Sequence, residues 1–338
     1  MIKKKAFTII EMLVVLAMVG ILAGIVFKYM TGAKELADDM KRKADITLIV
    51  NAINSYATEN YGNFPIENCN IGACTALPIA LAPFMANFPD DPNPTNDYRY
   101  VSTDGTDFIV SAILSNVNYY SYVPAAGFID TPSCLSILNS GKSIGSGIYW
   151  INPSEKPIQV YCDMTTNGGG WTLVLQNNST ITTPSPNWND AINSNTISGT
   201  LGANQAAFDV LVGLSNWNKI GTQLMAQVGS SPSVISHRAV FTFSLNAMNN
   251  YFLTLSNLSV LLGGTTPGLY GYHNNRPFSA YDADHDAHTT NCSAVYSNHP
   301  WWYGACWDGS FFGGSGHQEA SYWTGSTDDY PHGSIWIK

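Results

Sequence analysis

The N-terminal part of the chain carries the apolar pattern of one long helix with two different halves. An apolar run over residues 7–27 is interrupted only by Thr8 and Glu11. As a helix this run spans about 30 Å, the thickness of the hydrocarbon core of a bilayer. Apolar residues then recur every three or four positions up to Gly62, which is the spacing of an amphipathic helix. The pattern predicts a single helix over residues 7–61 whose first half can cross a membrane.

Glu11 distinguishes this N-terminus from an ordinary cleaved secretory signal. A carboxylate inside an apolar segment is costly unless it has a partner. The run also continues into the amphipathic helix instead of ending at a cleavage site with small residues. Lysines ahead of the run hold the N-terminus in the cytoplasm and send the rest of the chain outward. We therefore expect a membrane helix that the processed protein retains.

Shorter patterns follow the helix. Residues 88–114 contain a loop rich in Pro, Asp and Asn, and then two short strands around Asp104 and Gly105, which is a strong hairpin signal. We assign residues 62–117 to a small domain with an antiparallel sheet. The stretch 118–133, rich in Tyr, Pro, Ala and Gly, is assigned to a linker.

The pattern changes again at Cys134. All nine tryptophans and all seven histidines lie beyond it, helical periodicity fades, and short strands alternate at residues 147–151 and 158–161. A glycine triplet at residues 168–170 then leads into a further apolar strand. These features predict a second, loop-rich domain of mixed β structure over residues 134–338. The fold class predicted for the whole protein is therefore α+β.

Composition and charge exclude one class of partner. The chain has 338 residues, with 15 Lys and Arg against 24 Asp and Glu, and a formal net charge of −9. Eight of the fifteen basic residues lie within the first 43 positions, and the others are scattered singly. Binding to phosphates requires clustered basic residues, so nucleic acid is excluded as a partner.

The cysteines and the missing catalytic motifs narrow the chemistry further. Six cysteines, an even number without a CxxC pair, argue against zinc or thioredoxin chemistry and favour three disulfides formed in an oxidising compartment. Cys69 and Cys74 are close enough in sequence to close a small disulfide loop. The sequence has no HExxH helix and no P-loop. We therefore expect a protein that is not an enzyme.

The N-terminal segment KKKAFTIIE resembles the leader of type IV pilins and pseudopilins. The resemblance implies that a prepilin peptidase cuts between Ala6 and Phe7, so that residues 1–6 are a leader and Phe7 becomes the methylated first residue. Glu11 would then pair with the N-terminal amine of a neighbouring pilin subunit in a filament. Such a pair neutralises a buried charge and fixes the axial register of the subunits.

The same resemblance raises a calcium site in the loop ahead of the predicted hairpin, because some pseudopilins bind calcium there. A solvated, proline-rich turn is the favoured alternative. The residues that could supply oxygen ligands in this loop are Asp90, Asp91, Asn93 and Asp97.

Two ordered blocks of the second domain carry a family signature. The first runs from VYCDM to GGGWT within residues 160–172, and the second covers residues 278–316 with its acidic loop and its WW…C element. Both blocks resemble the fibrinogen C-terminal-like domain, which is shared with ficolins and, more loosely, with intelectins. The resemblance implies that Cys134 pairs with Cys162 and Cys292 with Cys306.

Three alternating carboxylates, those of Asp282, Asp284 and Asp286, predict a cation site. Hard oxygen ligands at this density suit Ca²⁺ better than a transition metal. The fibrinogen-like resemblance assigns the ligands to the carboxylates of Asp284 and Asp286 and to the backbone carbonyls of His288 and Thr290. Asp282 would be an outer group. A solvated acidic loop and a zinc site that uses the histidines are the alternatives.

The aromatic stretch around Cys306 predicts a ligand pocket. Aromatic faces stack on the C–H faces of sugars and on N-acetyl methyl groups. In lectin-like relatives an acetyl pocket lies beside this cysteine, after a cis peptide bond that would here join Ala305 to Cys306. The alternative is that at least half of the aromatic rings belong to the core. By the resemblance, the pocket residues are Trp302, Tyr303, Ala305, Cys306, Trp307 and Tyr330.

Together these features predict a minor or tip pilin of a type IV pilus that displays a calcium-binding, lectin-like domain. Its expected role is adhesion to glycans, to acetylated surface ligands or to a protein of a host or cell surface. Its expected location is the cytoplasmic membrane before assembly and an extracellular filament afterwards. The alternative is a structural subunit, either a major pilin or a type II secretion pseudopilin, whose C-terminal domain is a decoration without a ligand pocket.

Overall fold

The structure of the protein is a computed structural model that describes residues 9–116, 118–178, 185–306, 311, 321–324 and 329–338. The predicted processing residues Ala6 and Phe7 lie outside these ranges. The chain forms two compact units, residues 1–128 and residues 129–338.

The predicted long helix is confirmed as α1 (Ile9–Glu59), which is unbroken over 51 residues. The described side chains of residues 9–36 are exposed, and the most apolar window of the helix has a mean hydropathy of 2.7, enough by length and composition to cross a membrane. The helix ends where the N–H of Gly62, at a φ of +83°, donates to the carbonyl of Ala57 (2.8 Å). Further along α1, one apolar stripe is buried, formed by Ile46, Ile49, Val50 and Ile53.

A five-stranded sheet shares its core with this stripe. The strands follow one another across the sheet in sequence order, and the predicted hairpin at Asp104 and Gly105 joins the second strand to the third. The elements are β1 (Glu67–Asn70), α2 (Ala76–Leu81), β2 (Arg99–Ser102), β3 (Ile109–Ile113), β4 (Tyr119–Val123) and β5 (Gly127–Ile129).

The prediction of a linker over residues 118–133 was wrong for its first three quarters, because β4 and β5 lie there. The aromatic side chains of this stretch pack against each other. Phe128 stacks on Tyr120 with ring centroids 5.5 Å apart and meets Tyr122 edge-on at 4.9 Å. Aromatic pairs across neighbouring strands stabilise a sheet, so the tyrosines specify strands in spite of the Pro, Ala and Gly between them.

The second unit is built from many short elements. Its first helix is α3 (Cys134–Asn139), and its N-cap residue Ser133 accepts a hydrogen bond from the N–H of Ser136. The elements that follow are β6 (Gly147–Ile151), β7 (Ile158–Asp163), β8 (Trp171–Asn178), α4 (Trp188–Asn193), β9 (Thr196–Gly199), β10 (Phe208–Leu211) and α5 (Trp217–Ile220). After them come β11 (Gln223–Ser231), β12 (Val234–Asn246), β13 (Phe252–Leu262), α6 (Gly268–Gly271), α7 (Cys292–Val295), β14 (Ser321–Tyr322), β15 (Asp329–Tyr330) and β16 (His332–Ile337).

One nine-stranded antiparallel sheet organises this unit. Seven strands follow the order β13-β12-β11-β16-β8-β10-β9, and the β6–β7 hairpin joins them because β7 pairs with β8. The strand β16 lies between β11 and β8, so that Trp336 is opposite Met225 on one side and Leu173 on the other. The predicted strands at residues 147–151 and 158–161 are confirmed by β6 and β7.

The core of the second unit is rich in tryptophan. Trp171 and Trp336, predicted to be buried strand positions, are at most 2% exposed. The three predicted disulfides are present, with Cα–Cα distances of 5.4 Å for Cys69–Cys74, 5.6 Å for Cys134–Cys162 and 5.0 Å for Cys292–Cys306. Each lies within the range that a disulfide spans.

Candidate functional site

The loop that was predicted to bind calcium consists of residues 282–290 and precedes α7; we call it the calcium loop. It folds around the carboxylate of Asp286. The N–H of His288 donates to Asp286 Oδ1 (2.8 Å), and the N–H of Cys292 donates to Asp286 Oδ2 (2.8 Å). The N–H of Asp286 in turn donates to Asp284 Oδ1 (3.2 Å). The structure therefore brings together the two carboxylates that the sequence analysis assigned to calcium.

The two carboxyl groups are close enough for their charges to interact. Burial raises the pKa of Asp286, and the negative charge and hydrogen bond of Asp284 raise it further, while the N–H groups of Cys292 and His288 lower it. A partly desolvated pair of carboxylates favours uptake of a proton or a cation. Clustered carboxylates in an irregular loop are typical ligands of Ca²⁺, so the residues present fit that ion.

His288 and Thr290 contact each other beside this pair. The N–H of Thr290 donates to His288 Nδ1 (3.2 Å), and Thr290 Oγ1 lies 2.9 Å from the same nitrogen. The His288 ring is also near the sulfurs of Cys292 and Cys306. Those sulfurs form a disulfide, and a zinc site needs thiolates, so the zinc alternative gains no ligand from them. The role of the two backbone carbonyls stays a prediction.

Asp282, the predicted outer group, contacts a different element. Its Oδ1 accepts a hydrogen bond from the N–H of Trp188 at the start of α4 (2.8 Å). The Trp188 ring packs on His285 with centroids 4.6 Å apart, and His285 Nδ1 lies 3.1 Å from the carbonyl oxygen of Phe278. Asp282 therefore fastens the loop to α4. The sequence analysis did not identify Trp188 as part of this site.

The aromatic stretch that was predicted to line a pocket is mostly buried. Trp302 is 1% exposed and Tyr303 is 0% exposed. The Trp302 indole N–H donates to the carbonyl of Tyr251 (2.9 Å), and the Tyr303 hydroxyl donates to the carbonyl of His299 (2.9 Å). Since neither ring is accessible to a ligand, the pocket prediction was wrong for Trp302 and Tyr303, which belong to the core.

The chain reaches the protein surface at Ala305, just after these rings. We call residues 304–306 the Gly304 turn. Ala305 is exposed, and Cys306 has a left-handed backbone with a φ of +78°. Such a conformation is costly for a residue other than glycine, and the disulfide to Cys292 anchors it. The bond between Ala305 and Cys306 is trans, so the expectation of a cis peptide was wrong.

Three contacts place the Gly304 turn. The N–H of Ala287, in the calcium loop, donates to the Gly304 carbonyl (3.0 Å). The N–H of Ala305 donates to the hydroxyl oxygen of Tyr272 (3.3 Å). A Cβ added at Gly304 would lie 3.1 Å from Arg276 Nε and 3.3 Å from Tyr272 Cε1, so both side chains lie on the same side of this residue. The turn is therefore tied to the calcium loop and packs against Tyr272 and Arg276.

The other predicted pocket residues are distributed differently. Trp307 lies outside the described residues. Tyr330 is half-buried, and its hydroxyl lies 2.8 Å from His237 Nε2. Sequence reasoning missed Tyr272 and Arg276, although one signal was present: Arg276 is the single charged residue between Arg238 and Asp282.

The candidate calcium loop of the first unit has protein partners instead of an open ligand set. Arg42, 3% exposed, donates from Nε and Nη2 to the two carboxylate oxygens of Asp91 (2.9 Å each). Asp97 accepts hydrogen bonds from the N–H groups of Gly72 and Tyr98 (2.9 and 2.8 Å). Asn93 Oδ1 accepts from Thr95. The hydrogen bonds of this loop support a structural role.

Two further features of the second unit are a small cleft and a GxSxG spacing. A cleft of about 290 Å³ is lined by Ala203, Asn204, Gln205, Ala206, Ser231, Pro232 and Ser233, none of which titrates near neutral pH. The GxSxG spacing at residues 141–145 lies in the turn between α3 and β6. Because no strand leads into Ser143, this turn is not the strand-to-helix elbow of a hydrolase.

Comparison with known proteins finds one family match at each end of the sequence. The family described as fibrinogen beta and gamma chains, C-terminal globular domain, matches residues 131–338. The prokaryotic N-terminal methylation motif matches residues 1–27. The two resemblances found in the sequence are thereby confirmed.

Individual relatives cover the second unit. Human ficolin-3 is 26% identical over 195 residues, which are 56% of this chain and 61% of ficolin-3. Human tenascin-R is 29% identical over 203 residues, which are 56% of this chain and 14% of tenascin-R. The chain thus spans less than two thirds of either relative. The fibrinogen-like globe domain of human ANGPTL2 has a similar fold, with a TM-score of 0.50 at 24% identity over 62% of this chain and 98% of that domain.

Proposed function

The protein belongs to the family of the C-terminal globular domain of fibrinogen beta and gamma chains, and from this premise we propose that it is a minor or tip pilin acting as an adhesin. Its ligands are glycans or other acetylated surface molecules, and Ca²⁺ braces the loop that recognises them. The N-terminal methylation motif and the apolar half of α1 support processing by a prepilin peptidase, membrane insertion and assembly with other pilin subunits. In this proposal the mature protein is part of an extracellular filament.

The observation that carries the proposal is the connection between the calcium loop and the Gly304 turn, in which Ala305 is exposed. The hydrogen bond from Ala287 N–H to the Gly304 carbonyl and the Cys292–Cys306 disulfide join the two segments. A cation held by Asp284 and Asp286 would fix the loop and, through these two connections, the turn. This arrangement supports calcium-dependent binding at the turn.

A minor or tip position follows from size. The second unit covers residues 129–338 and is larger than the first, which covers residues 1–128. Subunits in a pilin filament pack through their N-terminal helices at close spacing, so a filament made only of this protein would crowd its second units. An adhesin present in few copies avoids that crowding.

One observation favours the alternative of a structural subunit with a decorative domain. Trp302 and Tyr303, two of the residues predicted to line a ligand pocket, are fully buried. In that case the protein would dominate isolated filaments, whereas an adhesin at the tip would be rare in them. Quantitative mass spectrometry of purified filaments distinguishes the two positions.

The test of binding uses the full-length protein purified in detergent on an array of glycans and acetylated ligands. We expect binding in Ca²⁺ that a chelator abolishes, and that the double variant Asp284→Ala/Asp286→Ala lacks in both conditions. The double variant Asp130→Ala/Glu155→Ala removes two carboxylates of the same unit outside the loop and should bind like the wild type. Folded, calcium-loaded protein that binds nothing on the array would contradict the adhesin proposal.

A further inference from the structure

Arg276 differs from the other arginines of the protein in that its side chain has no partner among the described residues. In the part of the sequence that the structure describes, its guanidinium donates no hydrogen bond and forms no ion pair, and its Nε is buried without an acceptor. A half-buried cation without an acceptor is unfavourable. The other three arginines donate side-chain hydrogen bonds: Arg42 to Asp91, Arg99 to Asn68 and Arg238 to Gln227.

The position of Arg276 is defined by the Gly304 turn. A Cβ at position 304 would be 3.1 Å from Arg276 Nε and 3.3 Å from Tyr272 Cε1. Glycine therefore lets both side chains lie close against the turn. Tyr272 also accepts the hydrogen bond of Ala305 N–H, and Ala305 is exposed. The unpartnered guanidinium thus lies beside the backbone where the proposed ligand would be bound.

The stretch of sequence that leads up to Arg276 supplies no acid to neutralise this cation. Residues 239–275 contain no Asp, Glu, Lys or Arg. The nearest carboxylates that follow in the sequence are engaged elsewhere, because Asp282 accepts from Trp188 and Asp284 and Asp286 form the calcium loop. A guanidinium presents parallel N–H donors that match a planar carboxylate or a sulfate. An anionic ligand would therefore supply the acceptor that this guanidinium lacks among the described residues.

We propose that Arg276 recognises the acidic group of the ligand, so that the molecules bound at the Gly304 turn are anionic glycans. This inference rests on the proposed function, since it names the class of ligand for the same site. It makes acidity, beyond the presence of an acetyl group, a determinant of binding. The acidic group is a carboxylate or a sulfate, which the experiment separates.

The test compares two oligosaccharides that share N-acetylglucosamine and differ in charge. The full-length protein in detergent and Ca²⁺ is titrated with a hyaluronan oligomer, in which every second sugar is a uronate, and with a chitin oligomer of equal length. A charge-assisted bidentate contact corresponds to about a 10-fold or greater preference for the acidic oligomer. A further arm compares sulfated with unsulfated chondroitin and shows whether sulfate replaces carboxylate.

Arg276→Gln should abolish the preference and leave affinity for the chitin oligomer within about 2-fold of the wild type. Arg276→Lys keeps the charge but loses the planar fork, and should restore part of the preference. Arg238→Gln, at an arginine of the same unit that already has a partner, is the matched control and should keep the full preference. Circular dichroism establishes that each variant is folded.

Equal wild-type binding of acidic and neutral oligomers, or a preference that survives in Arg276→Gln, would overturn the inference and leave the adhesin proposal intact. Failure of the wild type to bind any oligomer would count against the adhesin proposal itself. If Arg276→Gln does not fold, the inference is tested instead by the salt dependence of oligomer binding to the wild type. The preference for the acidic oligomer should shrink at high ionic strength, and a preference unaffected by salt would contradict the role of Arg276.

Discussion

His332 lies in β16 at the centre of the nine-stranded sheet and is 1% exposed. Its Nδ1 is 2.9 Å from Asn178 Oδ1, and its Nε2 is 3.3 Å from Ser334 Oγ. Burial lowers the pKa of His332 from the ordinary value of 6.5 to about 3. The imidazole is therefore neutral in the folded protein over the whole physiological range of pH.

This pKa predicts how the second unit responds to acid. Below pH 6.5 the unfolded protein binds a proton at His332 that the folded protein does not bind. The unfolding free energy is therefore not reduced by His332 above pH 6.5. As the pH falls from 6.5 towards 3, it decreases by about 1.4 kcal/mol per pH unit at most. His332→Gln, although less stable at neutral pH, should lose less unfolding free energy between pH 7 and pH 5 than the wild type.

The measurement is denaturant unfolding at several pH values, compared between variant and wild type so that other titrating groups cancel. Equal slopes in the two proteins would show that His332 takes up no proton on unfolding in this range. Such a result would contradict the burial of a neutral imidazole in the sheet.

Single residues also show where sequence reasoning reaches its limit. Asp284 and Asp286 could be assigned to one site from spacing alone, because loop neighbours stay close in space. Trp302 could not be placed correctly, since the residue types that stack on sugars also fill cores. Its burial depends on Trp217 and Phe278, whose ring centroids lie 5.8 and 4.9 Å away, and contacts with residues distant in the sequence leave no local pattern.

At the scale of elements, α4 and the calcium loop form one connected piece through Asp282 and Trp188. The structure shows Asn187 as the N-cap of α4, where its side chain accepts from Asp190 N–H. Which loop the helix would pack against could not be predicted, because Asp282 and Trp188 are 94 positions apart. For β4 and β5 the prediction was wrong, because the composition suggested a linker whereas aromatic pairing specifies strands there.

Because Asp282 contacts α4, we expect substitution of Asp282 and substitution of Asp286 to have different effects. Asp282→Ala removes the acceptor for Trp188 N–H, which should cost about 1 kcal/mol of unfolding free energy and lower the melting temperature by about 2–4 °C. Its calcium affinity should fall less than about 3-fold, because the proposal places Asp282 outside the ligand set. Asp286→Ala should reduce calcium affinity at least 100-fold, since it removes a ligand carboxylate and its network.

Calcium titration calorimetry and thermal melting of the full-length protein in detergent check both effects. Asp282→Asn keeps an oxygen acceptor for Trp188 and is the matched control, so its melting temperature should equal that of the wild type. Loss of calcium binding in Asp282→Ala as complete as in Asp286→Ala would make Asp282 a direct ligand and disprove its assignment to α4.

At the scale of the whole molecule, the chain forms two units with separate cores. The first unit has α1, a membrane-competent helix that continues into the core of a small sheet. The second unit holds the calcium loop and the Gly304 turn on a nine-stranded sheet. Motifs predicted this division well, because the leader and the two blocks of the second domain are local signatures. No motif in residues 177–277 predicted the strands there or a role for Arg276, and both were identified only from the structure.

The central claim is that this protein makes a filament adhere through a calcium-braced site. The most direct measurement follows intact filaments on a surface coated with the acetylated, acidic oligosaccharide, first in Ca²⁺ and then in a chelator. The account predicts attachment in Ca²⁺, release on chelation and no attachment for filaments that carry Asp284→Ala/Asp286→Ala. Attachment that persists in chelator, or that is equal for filaments lacking this protein, would contradict it.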